Sequence, residues 1–235
     1  MPTTSLQHHL REAGYDLIDG PIRNHKLLQL WLKAGANAPE LYYEHIHHAF
    51  RSDARLRTTK DAGLDVKSTH KNDYAFKIGI TVVQEWMQAT GLPTIDFSQA
   101  IGSGTSVSIS FEQTMAEMVP VGDLTAFFSS ADFLHPNPVL LRHANRNNIM
   151  VITGIVTAAH LVAEINSTEK ITTKAINALK KQSDNSIGFS LNKQNTLKMV
   201  AGKGRFPIAV KASRIDFDKG RFNGLGMVSD GRDMF

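Results

Sequence analysis

The sequence has no cysteine. That excludes a disulfide framework, a thiol nucleophile, a cysteine-ligated zinc site and S-palmitoylation, and it suits a reducing compartment. No run of 18 apolar residues occurs either, so no membrane-crossing helix is expected. The longest stretch free of Asp, Glu, Lys and Arg, 147–163, is interrupted by Thr153, Gly154, Thr157 and His160. The opening residues lack a basic segment followed by an apolar run, so no secretion signal is expected and the chain reads as cytosolic. Acidic residues are scarce in the second half. Residues 133–235 carry 7 Asp/Glu against 15 Lys/Arg, a balance of +8, while residues 1–132 carry a balance of −4. One-sided basic charge points to an anionic partner, either nucleic acid or an anionic lipid surface.

What is present supports a folded domain. Of 235 residues, 42% are apolar and 20% charged, enough for a core and against global disorder. Leu6, Leu10 and Ala13 have helical spacing, and Gly14 is a natural stop. Residues 15–18 fit a short strand. Leu27, Leu28, Leu30 and Trp31 suggest a second helix, and Pro39 opens a third with Tyr42, Ile46, Ala49 and Phe50 on one side. The period then changes to two around Leu64, Val66 and Ser68, again from Phe76 to Val82, and again from Thr105 to Phe111, which predicts strands. A helix is predicted over 83–89. Leu124, Phe127, Phe128 and Ala131 return to helical spacing after Asp123, read as a cap, and 136–138 reads as a turn.

Residues 149–165 read as one long strand or a bent pair. A small basic helix is predicted from Ser167 or Thr168 to Lys181. Ile187, Phe189, Leu191, Leu197 and Met199 share one parity and suggest a long amphipathic strand; Phe206, Ile208, Val210 and Ala212 suggest the next. Parity slips before Ile215 and Phe217, which suggests a bulge. Gly202-Lys203-Gly204 reads as a hairpin turn, and the segment after Gly220 as loosely held. The sum is an α+β domain: a twisted, mostly antiparallel central sheet surrounded by helices. The domain is expected to span 1–220, with 221–235 as a short C-terminal tail.

Catalytic motifs are missing. No phosphate loop, zinc-protease helix or nucleophile elbow is present. His45 and His48 could share a helical face, yet two ligands fall short of a metal site, so no metal, cofactor or enzymatic activity is expected. Asn166-Ser167-Thr168 matches a glycosylation acceptor and is read as a chance match. The basic stretch 165–214 holds ten Lys/Arg but only Phe189 and Phe206 as aromatics. Stacking platforms for single strands need more. Lys170, Lys174, Lys180, Lys181, Lys193, Lys198, Lys203 and Arg205 are assigned to anionic lipid, where each nearby basic residue contributes about 1 kcal/mol, with a merely solvated basic surface as the plainer alternative. A basic nucleic-acid-binding module of the cytosol is the alternative reading.

Residues 63–73, 103–111, 149–161 and 186–199 are each long enough to cross a bilayer as a tilted strand. Each has an apolar parity opposite one rich in Ser, Thr, Gly, Asn or Lys. The candidate membrane-facing positions are Val66, Ile78, Ile80, Val107, Ile109, Phe111, Ile149, Val151, Ile155, Leu161, Ile187, Phe189, Leu191 and Leu197.

The order of segments resembles a known family. LQHHLREAGYDLIDGPIRNHKLLQLWLK, YAFKIGITVVQEWMQATG, SVSISFEQTMAEMVPVGDLTAFFSSADF, NNIMVITGIVTAAHLVAEI and FPIAVKASRIDFDKGRFNGL together resemble short bacterial-type gasdermins, without a large C-terminal repressor domain. The resemblance implies a pore-forming protein of regulated cell death, in anti-phage or allorecognition defence. It is cytoplasmic when inactive and a homo-oligomer in the inner or plasma membrane when active. Two regions, here about 62–118 and 148–200, would lengthen into hairpins that close a large barrel. The resemblance leaves activation open between a protease and a partner gasdermin. A cut would fall near Lys219, Arg221 or Leu225, freeing the tail as an autoinhibitory peptide. The chain lacks the cysteine that carries lipid in many bacterial relatives.

Overall fold

The structure is a computed structural model that describes residues 10, 12–17, 25–34, 39–63, 66–68, 106–134, 137–166, 187–191, 196–201 and 205–227. In chain order it contains β1 (Asp16–Leu17), β2 (Leu30–Leu32), β3 (Glu40–Tyr43), a 3-10 turn (Ile46–His48), β4 (Phe50–Arg51), β5 (Thr59–Ala62), β6 (Val66–Ser68), β7 (Ser106–Glu112) and β8 (Met115–Met118). Helix α1 (Val121–Ser129), β9 (Asp132–Phe133) and helix α2 (Pro138–Ala144) follow. The chain continues through β10 (Ile149–Ala158), β11 (His160–Asn166), β12 (Ile187–Leu191), β13 (Thr196–Ala201), β14 (Phe206–Asp218) and β15 (Arg221–Met227). The α+β class and the antiparallel sheet are as expected from the sequence.

Two principal sheets result. In the first, of eight strands, β10 pairs with β14 along one edge and with β2 and β8 end to end along the other. β3 extends from β2 and β5 from β8; β1 and β15 both pair with the outer edge of β14. The second sheet has the order β12-β13-β11-β7-β6. β4 and β9 form a separate two-stranded pair.

Both faces of the first sheet are covered. Helices α1 and α2 pack on one face through Leu124, Phe127, Phe128, Leu140 and Ala144, which meet Ile149, Val151, Ile215 and Phe217 of the sheet. Phe50 is the centre of an aromatic knot, with ring centroids 5.3 Å from Phe128, 5.0 Å from Phe133 and 5.8 Å from Phe217. The other face buries Trp31, Met150, Ile152, Ile155, Val210 and Ala212. Edge-on and offset ring contacts of this kind add to the large apolar area each ring removes from water.

This two-faced core explains the parity slip in β14 and corrects its reading as a bulge before Ile215. Val210 and Ala212 fill one cluster, Ile215 and Phe217 the other. The strand changes which face it buries. The irregularities in register lie elsewhere: at Thr153 on the β10 side, between Ile152 and Gly154; at Ile208 on the β14 side, where Val156 and Thr157 pair with Ala209 and Pro207; and at Asn223 on the β15 side, opposite the step from Asp216 to Phe217.

Several other local readings are corrected. The apolar stretch at 27–31 ends in strand β2 and not in a helix, because Leu30–Leu32 pairs with both β10 and β3. The segment after Pro39 is strand β3 followed by a 3-10 turn. Asp123 lies inside the first turn of α1, whose N-cap is Pro120. Asn137 is not in a simple turn but caps α2, accepting hydrogen bonds from the Val139 and Leu140 amides at 3.1 and 3.0 Å. Residues 187–199 form a hairpin of β12 and β13 and not one strand. β13 and β14 lie in different sheets, and residues 202–204, read as a hairpin turn, lie outside the described residues. Residues 221–227 are not loose: they form β15, and Phe222 and Leu225 pack on the core. The predicted strand at 76–82 and the helices at 83–89 and 168–181 lie outside the described residues.

Candidate functional site: the second sheet and its junction

The second sheet continues the first strand for strand. β5, β8, β10 and β14 are successive neighbours in the first sheet. Each is joined directly along the chain to β6, β7, β11 and β13, which are successive neighbours in the second. The described residues between the paired strands are Gly63, Gln113, Thr114, Ala159 and Arg205, while 64–65 and 202–204 lie outside the described residues. The stretch 149–165, expected as one strand or a bent pair, is a bent pair with its bend at Ala159.

Register in the second sheet sorts its residues into rows, since directly opposed residues of an antiparallel pair share a face. One row runs Val66, Phe111, Leu161, Ala201, Ile187. The next runs Ser68, Ile109, Ala163, Met199, Phe189, and a third runs Val107, Ile165, Leu197, Leu191. Ile109, Phe111, Leu161 and Ala163 are buried. The alternate row runs Ser108, Glu164, Lys198, Ser190. Its described side chains are half-buried or exposed. In it, Lys198 pairs with Glu164 at 3.6 Å and the Ser108 hydroxyl donates to Glu164 at 3.5 Å. Val162 departs from the pattern, being buried at a position of polar parity.

The strand residues singled out in the sequence therefore divide. Val66, Val107, Ile109, Phe111, Leu161, Ile187, Phe189, Leu191 and Leu197 all fall into the three apolar rows. Ile149, Val151 and Ile155 lie in β10, within the two core clusters of the first sheet. The extra residue at Thr153 inverts parity, which is why Val151 and Ile155 serve opposite faces. Ile78 and Ile80 lie outside the described residues, as do Lys170, Lys174, Lys180, Lys181, Lys193 and Lys203.

Two of the assigned lipid contacts are described. Lys198 holds Glu164 in the polar row. Arg205 sits at the junction of the sheets: its Nε donates to Thr157 Oγ1 at 3.0 Å, and its Nη2 donates to the carbonyls of Thr157, at 3.3 Å, and Gln113. Neighbouring bonds stitch the same level, from the Gly63 amide to the Thr114 carbonyl at 2.9 Å and from the Ala159 amide to the Glu112 carbonyl at 3.2 Å.

A basic surface that sequence reading missed lies where α2 meets the β14–β15 turn. The Gly220 amide donates to Asn145 Oδ1 at 2.9 Å, which seats Lys219 and Arg221 beside the end of α2, where Arg142 and Arg146 lie one turn apart. All four basic side chains are exposed, and among the described residues none forms an ion pair. Asp218 is the carboxylate next to them in the chain, and Leu141, packed toward Gly220, is an exposed apolar residue in their midst. The spacing Arg142-x-x-x-Arg146 was the available signal, hidden because only 136–138 was read there, as a turn, and no helix was expected after it.

His45, His47 and His48 do not form a metal centre: among the described residues no group of three metal-ligating side chains is found. His45 caps the 3-10 turn by accepting from the His47 amide at 3.2 Å, and its ring stacks on His47 at 4.8 Å. Burial, then the neighbouring His47 and His48, hold the His45 imidazole below the usual histidine range. No described helix is long and apolar enough to cross a membrane, which leaves strand crossing open.

A bacterial gasdermin from Bradyrhizobium tropiciagri shares this fold, with 14% identity over 94% of this chain and 92% of that chain and a TM-score of 0.53. The Gasdermin A3 membrane pore aligns over 97% of this chain and 95% of that chain, with 10% identity and a TM-score of 0.33. No curated protein matches the sequence. The profile of the Bacterial Gasdermin Family matches residues 18–221, and the chain belongs to that family.

Proposed function

We propose that this chain permeabilises membranes by lengthening the second sheet into membrane-spanning hairpins that many copies close into a barrel. The strand-for-strand continuation across the junction is the observation that carries this reading. Removing the bends would convert four interrupted strands into four long ones without changing any neighbour. The rows described above would then present Val107, Ile109, Phe111 and their partners to lipid, and Ser108, Glu164 and Lys198 to water. Open sheet edges are not tolerated in hydrocarbon, so insertion requires closure by many subunits.

In this reading the resting protein is cytosolic and the active one lies in the inner or plasma membrane. Its partners are copies of itself and anionic lipids, not nucleic acid, and it needs no cofactor and performs no catalysis. The outcome is regulated cell death in defence against phage or a non-self partner. Residues 221–235 would act as the lock, released by a cut near Lys219, Arg221 or Leu225 or displaced by a partner gasdermin. Support comes from β15, which occupies an edge of β14 and would leave with Phe222 and Leu225. Arg142, Arg146, Lys219 and Arg221 add a candidate lipid-facing surface to the lysines of 165–214.

Dye release from vesicles of phosphatidylcholine and phosphatidylglycerol tests the reading. The full chain and a form ending at Gly220 are compared. Release by the shortened form supports it, and silence from both forms, with and without protease treatment, rejects it. Salt-dependent binding of duplex DNA in place of vesicle binding would support the nucleic-acid alternative.

A further inference from the structure

We infer that Arg205 and Gln113 form a clasp that holds the two sheets in their bent arrangement and sets the rate at which the second sheet can straighten. The inference rests on the pore-forming reading for its consequence, but the clasp itself is read from geometry.

Gln113 has φ of 53°. That is the left-handed region, which side-chain-bearing residues enter at a cost of roughly 1–2 kcal/mol. It stands at the break between β7 and β8, so a continuous strand through 106–118 requires Gln113 to become extended. The bent state thus contains a strained residue whose relaxation favours straightening. Something must hold it. The Gln113 carbonyl accepts from Arg205 Nη2, and the same guanidinium reaches Thr157 through both its hydroxyl and its carbonyl. Arg205 itself immediately precedes β14. One planar group therefore touches three of the four strand-to-strand connections: β7 to β8 at Gln113 directly, β10 to β11 through Thr157, and β13 to β14 by its own position before Phe206.

The arrangement needs arginine. Its fixed fork presents several N–H groups to separate carbonyls, and a lysine ammonium on a flexible stem cannot reproduce that geometry. Among the described residues no carboxylate takes part, and Arg205 is held by neutral acceptors, two backbone carbonyls and the Thr157 hydroxyl. The role differs from a lipid contact, and the two make opposite predictions. Loss of a lipid contact slows permeabilisation; loss of a clasp accelerates it.

The test uses the full chain, activated by whichever treatment releases dye from phosphatidylcholine–phosphatidylglycerol vesicles, with amide hydrogen exchange measured in the absence of lipid. Arg205→Ala and Gln113→Val, the latter penalised further in the left-handed region, should raise exchange at Ala159 and Gly63 and speed dye release. Gln113→Gly accepts that region without strain and should lower both. The span between Gln113→Val and Gln113→Gly should be roughly five- to thirty-fold in rate, the ratio that 1–2 kcal/mol produces. The double variant Arg205→Ala/Gln113→Gly should recover much of the slow release. Exchange at Leu28 and Val119, both bonded within the first sheet, should stay unchanged, which separates the clasp from general loss of stability.

Slower release by Arg205→Ala, or Val and Gly at 113 acting in the same direction, would overturn the clasp. If no form releases dye, exchange alone decides. The expected pattern then upholds the clasp while the pore-forming reading falls, and unaltered exchange at Ala159 and Gly63 overturns the clasp itself.

Discussion

Gly63 and Thr114 approach each other so closely that no side chain fits between them. The Gly63 amide donates to the Thr114 carbonyl at 2.9 Å, and a Cβ placed on Gly63 would lie 2.4 Å from Thr114 Oγ1 and 3.0 Å from its carbonyl carbon. Thr114 is buried, so it has little room to retreat. Gly63→Ala should therefore destabilise the protein by about 1–3 kcal/mol, the usual cost of overpacking, and chemical denaturation monitored by circular dichroism measures it. A midpoint equal to that of the parent would show that this contact opens freely.

A second prediction concerns pH. The His45 imidazole is neutral in its capping role because Nδ1 must accept the His47 amide. Its folded-state pKa is depressed below the unfolded value of about 6.5. The groups around it are His47 and His48 on the same turn and Glu44, which bonds Gln29 and lies near Lys26. For a histidine with a depressed pKa the unfolded chain binds more protons, so stability rises with pH and levels off above 6.5. Melting temperature should accordingly fall as pH drops below 6.5. His45→Asn keeps an acceptor at the cap and should flatten that part of the profile.

The basic surface beside α2 gives a third. The double variant Arg142→Glu/Arg146→Glu should weaken binding to phosphatidylglycerol vesicles by well over tenfold, at about 1 kcal/mol for each charge removed and more for reversal. Sedimentation with vesicles measures it. Binding to vesicles of phosphatidylcholine alone should not change. Lys219→Glu should add to the effect, because the turn is held against α2 by Asn145.

A charge in an apolar row provides a fourth. Val107 is paired with Ile165, and Ile165 in turn with Leu197. In a barrel, an aspartate at 107 near mid-bilayer is expected to be destabilising, though by less than the roughly 2–4 kcal/mol that Arg or Lys costs at that depth. Val107→Asp should abolish dye release while vesicle binding and the circular dichroism spectrum persist. Release at the parental rate would remove Val107 from the lipid face.

Much of the second sheet was legible because period-two alternation survives wherever one face is apolar and the other wet, as in 105–111. The long hairpin 187–201 misled because residues on both its arms keep one parity across the turn, so pattern alone does not reveal the reversal between Leu191 and Thr196. In the first sheet both faces are buried. β10 is apolar almost throughout, and its parity carries little information until the bulge at Thr153 is known. Leu30–Leu32 and Glu40–Tyr43 become strands because a neighbouring strand offers unfilled hydrogen bonds, a tertiary effect that local spacing cannot register. The junction was invisible for a different reason. A left-handed glutamine and a glycine pressed against a threonine have no compositional mark. Arg205 was read by its charge, whereas its place in the fold is fixed by its fork.

Because the four breaks connect the same neighbours in the same order, no single strand can unbend without shearing the hydrogen bonds to the strands beside it. In the proposed pore-forming reading, extension would then be concerted across the whole width of the ribbon. A molecule so built should respond to its trigger in an all-or-none manner, with few half-opened copies lingering in solution.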